Sequence, residues 1–172
     1  MQAIETTRLY IQEATLEDSP FILNLVNSPN WLEFIGDKNI RALEAAADYI
    51  QRSLINSYRE NGFGLYKMVL KEKNTAIGIC GFVKRSYLEH PDIGFAILPS
   101  YERKGYTFEA ATAVLNYGKE MLNLSEILAI TSLENKASQT LLSKIGLTKI
   151  DTIQPEGSTE SLLLYSNSNN NL

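Results

Sequence analysis

The chain has 172 residues, with 16 Lys and Arg, 20 Asp and Glu, and one each of His, Cys and Trp, for a net charge of −4. One cysteine excludes an intrachain disulfide framework and a multi-cysteine zinc site, and one histidine excludes a His-rich metal centre, so no metal is expected. The acidic balance argues against a nucleic-acid partner, and no apolar run approaches the ~18 residues of a membrane span.

Across Arg8–Glu13, Leu9 and Ile11 alternate with polar neighbours, the period of a half-buried strand. Thr15-Leu16-Glu17-Asp18 matches a capping box and Ser19-Pro20 offers a second helix start. Phe21, Ile22, Leu25 and Val26 follow at helical spacing, and Asn27-Ser28-Pro29-Asn30 ends that helix. Trp31–Asp37 reads as a short aromatic segment closed by Gly36-Asp37. Leu43, Ala46, Ala47, Ile50, Leu54 and Tyr58 form one face of a second helix, ended near Asn61-Gly62.

Gly64–Leu70 and Ala76–Val83 flank the turn-prone Lys71-Glu72-Lys73-Asn74 and predict a hairpin. Asp92–Leu98 is a third apolar run between two prolines, and Phe108, Ala111, Val114, Leu115, Gly118, Met121 and Leu122 mark a strong helix. Ile127–Thr131 predicts a buried strand, Asn135–Ile145 a helix stopped by Gly146, and Leu147–Ile153 and Ser161–Tyr165 two last strands. This order predicts an α/β domain over residues 1–165, built on a mixed sheet with a parallel crossover at its centre. Residues 166–172 form a polar, low-complexity tail that is expected to be disordered.

Charge is uneven along the chain. Residues 1–60 hold 5 basic and 9 acidic groups, residues 61–121 hold 8 and 6, and residues 122–172 hold 3 and 5. The middle third is therefore the most favourable for an anion. It contains Pro99-Ser100-Tyr101-Glu102-Arg103-Lys104-Gly105-Tyr106-Thr107-Phe108-Glu109-Ala110, between a strand and a helix. A helix N-terminus presents unpaired N–H groups and suits phosphate. Gly105 lets a ligand approach the backbone, and Arg103 and Lys104 add charge. The loop is neither a Walker loop nor a dinucleotide fingerprint. The plainer alternative is a glycine easing a turn beside two solvated cations. In the second stretch, Asn135-Lys136-Ala137-Ser138, Asn135 and Ser138 are one helical turn apart, either as part of a binding face or as a cap.

Together, the two stretches resemble the GNAT acetyltransferase superfamily, whose R/Q-x-x-G-x-G/A loop opens a helix. Here that loop reads Glu102-Arg103-Lys104-Gly105-Tyr106-Thr107, with Glu102 where Arg or Gln is usual and Thr107 where Gly or Ala is usual. Thr7-Arg8-Leu9, Ile93–Pro99 and Asn135…Ser138…Lys144-Ile145-Gly146 are similar to the Rim-type ribosomal-protein N-acetyltransferase branch.

The resemblance implies a GNAT-like fold: a central mixed six- to seven-stranded sheet, helices on both faces, and a splayed pair of parallel strands. It implies acetyl coenzyme A as co-substrate. Phe95, Ala96, Ile97 and Leu98 would pair with the pantetheine arm. Arg103, Lys104, Gly105, Tyr106 and Thr107 would hold the pyrophosphate, and Asn135 and Ser138 would contact the coenzyme. Relatives often carry a tyrosine acid seven residues after the Asn; here that position is Leu142, which leaves Ser138 as the candidate acid. Asp92 is the candidate base.

Trp31, Phe34, Asp37, Arg85 and Tyr87 are the candidate acceptor residues. The expected acceptor is a small-molecule amine, an amino acid or a protein N-terminus. His90 reads as an inert loop residue and Cys80 as a core thiol. The alternative function is a catalytically weak acyl-coenzyme-A-binding module. The start of the chain lacks a signal-peptide pattern, so the expected compartment is the cytoplasm, with the protein a monomer or homodimer.

Overall fold

The computed structural model describes residues 3–155 and 158–168. The strands are β1 (Ile4–Glu5), β2 (Leu9–Gln12), β3 (Leu65–Leu70), β4 (Thr75–Val83), β5 (Asp92–Ile97), β6 (Leu128–Ser132), β7 (Thr148–Ile153) and β8 (Leu162–Ser166). They form one mixed sheet in the order β1-β2-β3-β4-β5-β6-β8-β7. Every neighbouring pair is antiparallel except β5 and β6. The helices are α1 (Ser19–Val26), α2 (Pro29–Phe34), α3 (Leu43–Tyr49), α4 (Asn56–Asn61), α5 (Tyr106–Glu120) and α6 (Lys136–Lys144).

Helices cover both faces of the sheet. Ala110, Ala111, Val114 and Leu115 of α5 and Leu142 of α6 pack with Leu9, Ile11, Met68, Phe82, Ile93 and Ile127 on one face. Burying Val114 and Leu115 stabilises the fold by about 1.5–3 kcal/mol each. Gly118 lets α5 approach closely, since a β-carbon there would lie 2.5 Å from the Phe82 ring. On the other face Ile22, Leu25, Trp31, Ala46, Ile50 and Leu54 form a second core with Ile79.

The structure departs from expectation in four places. The two-residue β1 adds an eighth strand that is too short to show periodicity. Pro29 starts α2 instead of only ending α1, because proline is pre-shaped for the first helical position. The second predicted helix is α3 and α4 joined by a π-helical segment, Ile50–Ile55, which keeps Ile50 and Leu54 fully buried. The predicted tail is bonded into the fold through residue 168. Asn167 N donates to Ile127 O at 3.1 Å, Ile127 N donates to Asn167 Oδ1 at 2.8 Å, and Ser166 belongs to β8. Residues 169–172 lie outside the described residues.

Candidate active site

The parallel strands β5 and β6 meet at one register position, Asp92 opposite Leu128, with Leu128 N donating to Pro91 O at 2.9 Å. That bridge also engages Ile93 N, and beyond it β5 runs on to Ile97 with no further β6 partner among the described residues. The antiparallel ladder with β4 decides which groups line this gap, because alternate residues of a strand point their N–H and C=O to opposite sides. Leu98 N donates to Ile77 O at 2.8 Å, so Leu98, Ala96 and Gly94 face β4. Ile93, Phe95 and Ile97 then face the gap, in the same parity as Pro91. Of the four predicted strand contacts, the backbone groups of Phe95 and Ile97 face the gap, whereas those of Ala96 and the Leu98 N–H face β4, and the Leu98 carbonyl accepts from Tyr101 N at 2.9 Å. The register thus offers two of the four predicted residues to an added strand. The cause is strand parity, fixed only by the register.

At the open end of β5 the chain turns through Pro99–Tyr101 into α5. Arg103 and Gly105 are left-handed, at φ 57° and 79°. Gly105 is the N-cap residue and provides no side-chain cap, so the first N–H groups of α5 after Gly105 are presented outward. Arg103 and Lys104 are exposed. Lys104 Nζ donates to Ser100 O at 2.7 Å, and Asn30 Nδ2 of α2 donates to Glu102 Oε1. The carboxylate at the unusual loop position is therefore tied to α2. Tyr106 and Thr107 open the helix, both half-buried.

Across the gap, Asn135 caps α6, with its Oδ1 accepting Ser138 N at 3.0 Å. Gln139 Nε2 donates to Ser132 O at 3.1 Å and to Leu133 O at 2.9 Å, closing the turn from β6. Ser138 is half-buried at the first turn. Leu142 is 1% exposed in the core and brings no acid to the site.

At the closed end of the gap lies Asp92, with a side chain 1% exposed. Arg85 Nε donates to its Oδ1 at 2.8 Å. Burial pushes the Asp92 carboxyl above its ordinary range, and Arg85 only partly offsets this. Burial alone would lower Arg85, but Asp92 and Tyr87 hold it up. The structure thus brings Arg85, Tyr87 and Asp92 together. It does not place the other predicted acceptor residues with them. Trp31 is 3% exposed in the second core, Phe34 is half-buried on α2, and Asp37 pairs locally with Arg41 at 2.6 Å and Asn39 N at 2.8 Å. His90 Nε2 sits 3.4 Å from Glu126 Oε2. Cys80 is fully buried and burial raises its thiol, as expected for a core residue.

Two residues outside the predicted set, Arg8 and Glu109, bond at this loop. Arg8 Nε donates to Glu109 Oε2 at 2.7 Å, and its Nη1 donates to Lys104 O at 2.9 Å. The Thr7-Arg8-Leu9 motif points to Arg8; no sequence signal joins residues 101 positions apart. Among the described residues, no group of His, Cys, Asp and Glu side chains is placed to hold a metal, and no helix is long and apolar enough to cross a membrane.

A family model described as the acetyltransferase (GNAT) domain matches residues 8–148. An uncharacterized N-acetyltransferase, YnaD of Bacillus subtilis, is 30% identical over 145 residues, covering 84% of this chain and 81% of YnaD. The [ribosomal protein uS5]-alanine N-acetyltransferase of Escherichia coli is 31% identical over 102 residues, covering 56% of this chain and 51% of that enzyme. Among solved structures, the RimL ribosomal L7/L12 alpha-N-protein acetyltransferase in complex with coenzyme A superposes with a TM-score of 0.82 at 16% identity, over 96% of this chain and 97% of that one. That last likeness is one of fold. With a family match across most of its length, around a sheet that opens between β5 and β6, the chain belongs to the GNAT family of acetyltransferases.

Proposed function

We propose that the protein is an N-acetyltransferase that takes its acetyl group from acetyl coenzyme A and passes it to a primary amine, on a protein N-terminus or a small molecule, in the cytoplasm. The observation that carries this reading is the one-position β5–β6 pairing, which leaves the Phe95 and Ile97 backbone groups facing an open gap beside the N-terminus of α5. These groups fit the coenzyme: an extended amide-bearing arm can add to a strand edge, and a diphosphate suits unpaired helix N–H groups.

When bound, acetyl coenzyme A supplies an acetyl group activated as a thioester. Phe95 and Ile97 hold the arm by backbone hydrogen bonds. Gly105, Tyr106 and Thr107 face the diphosphate, with Arg103 and Lys104 adding positive charge. Asn135 holds the first turn of α6 through Ser138 N, and the Ser138 hydroxyl is the proposed donor to the leaving sulfur. Asp92, with its carboxyl raised by burial, accepts the amine proton through water at the closed end, and Arg85 and Tyr87 orient the acceptor there. The RimL and uS5 enzymes are named for protein acceptors, and the acidic first 60 residues suit a cationic amine.

A thiol-release assay with acetyl coenzyme A over a panel of primary amines and N-terminal peptides tests the reading. Turnover with at least one class is expected, and Ser138→Ala should lower kcat without changing coenzyme affinity. Absence of turnover across the panel, with no binding of acetyl coenzyme A, would refute it.

A further inference from the structure

The turn between β1 and β2 lies against the start of α5. Thr6 Oγ1 donates to Glu109 Oε1 at 2.6 Å, and Arg8 N donates to the same oxygen at 2.7 Å. Arg8 Nε takes the other oxygen at 2.7 Å. The rest of the guanidinium reaches the loop. Nη1 donates to Lys104 O at 2.9 Å, Cζ lies 4.4 Å from the centre of the Tyr106 ring, and Nη2 lies 3.4 Å from where a Gly105 β-carbon would stand. One side chain thus bonds Lys104 and Glu109, lies over the Tyr106 ring and borders the space beside Gly105.

Two features of the loop need such a brace. Arg103 is left-handed, a conformation disfavoured for a residue with a β-carbon, and the next carbonyl is the one that Arg8 holds. Glu109 places a carboxylate in the first turn of the helix whose N-terminus would face a diphosphate. That charge favours the helix but repels an anionic ligand. Arg8 cancels it at bonding distance, and burial's upward push on Glu109 is overcome by its bonds from Thr6 and Arg8, so it stays ionised.

We infer that Arg8 is a positioning residue for the coenzyme: it fixes the 103–105 turn in the shape that presents the α5 N–H groups and neutralises Glu109 behind them. This rests on the coenzyme reading above. It assigns the N-terminal segment, remote in sequence, a part in diphosphate binding without contact to the reacting atoms. The guanidinium fork is required, because a lysine at position 8 cannot donate to Glu109 and Lys104 O at once.

The test compares coenzyme A with pantetheine, which lacks the diphosphate. Affinities are measured by calorimetry for the first and ligand-observed NMR for the second, on wild type, Arg8→Ala, Arg8→Lys and the double variant Arg8→Ala/Glu109→Gln. Arg8→Ala should weaken coenzyme A about tenfold or more and leave pantetheine unchanged, as expected for the loss of charge-assisted bonds. The double variant should stay weak, because the brace on Lys104 O is still missing. Should Arg8→Ala fail to fold, Arg8→Lys shows the same selective loss at smaller size. Equal loss of both ligands, or no loss in a folded Arg8 variant, would overturn the assignment. Failure of wild type to bind coenzyme A would instead overturn the coenzyme reading itself.

Discussion

Among the described residues, Asp92 and Leu128 are the register pair that joins the parallel strands β5 and β6. The sheet is continuous up to this pair and open beyond it. The pair sets where an added strand can begin, and Asp92 stands at that vertex with its carboxylate taken by Arg85.

Strand parity separates binding from stability at adjacent residues. Phe95→Pro removes an N–H that faces the gap and should weaken acetyl coenzyme A about tenfold, with its stability loss coming from the Phe95 ring packed on the core and not from a ladder bond. Ala96→Pro removes an N–H of the β4 ladder and should cost about 1–3 kcal/mol of stability. Calorimetric binding and denaturant unfolding of both variants check this. Equal behaviour would show that the parity is wrong.

Glu109 gives a stability signature in acid. Its carboxyl is held below the usual 4.5 because bonds from Thr6 and Arg8 overcome the raising effect of burial. Its contribution is therefore present above about pH 4.5 and is lost as pH falls through the lowered value. Glu109→Gln should be less stable than wild type near neutrality, and the difference should shrink below pH 4. Urea unfolding of both proteins across pH 3–7 measures it, and a gap that widens in acid would contradict the bonding pattern.

Asp92 carries the opposite sign. Burial raises its carboxyl, so the folded state holds that proton more tightly than the unfolded one, and this site's contribution declines as pH rises above the unfolded value of 3.8. A site-resolved carboxyl titration by NMR should place Asp92 above that value. A titration at or below it would mean that the Arg85 pair outweighs burial.

Glu102 is the charge in the loop least suited to an anion, and Asn30 ties it to α2. Glu102→Gln should tighten coenzyme A several-fold at low salt, with the gain shrinking near 0.5 M salt as screening grows. Affinities at two ionic strengths decide it, and no change at low salt would place Glu102 away from the diphosphate.

Much of the fold was legible because periodicity records burial. Ile22, Leu25, Ile50, Leu54, Val114 and Leu115 all lie in the cores their spacing predicts. Pro29 misled because the same residue both stops one helix and starts another. Trp31 is buried in the second core, and an aromatic between helices reads equally as pocket wall or as core. The turn into α5 was visible through Gly105, whose left-handed φ is local chemistry. Which of Phe95, Ala96, Ile97 and Leu98 face the gap depends on the register with Gly78–Val83, and the Arg8–Glu109 clasp depends on packing between distant segments. Neither leaves a pattern in one sequence.

In the proposed complex the coenzyme arm adds to the free edge of β5. Amide hydrogen exchange read residue by residue, with and without saturating acetyl coenzyme A, tests it most directly. In the free protein the Phe95 and Ile97 amides should exchange readily, while Ala96 and Leu98 are protected by β4. The coenzyme should slow Phe95 and Ile97 about tenfold or more and leave Ala96 and Leu98 as they were. Unchanged exchange at Phe95 and Ile97 with bound coenzyme would contradict the account.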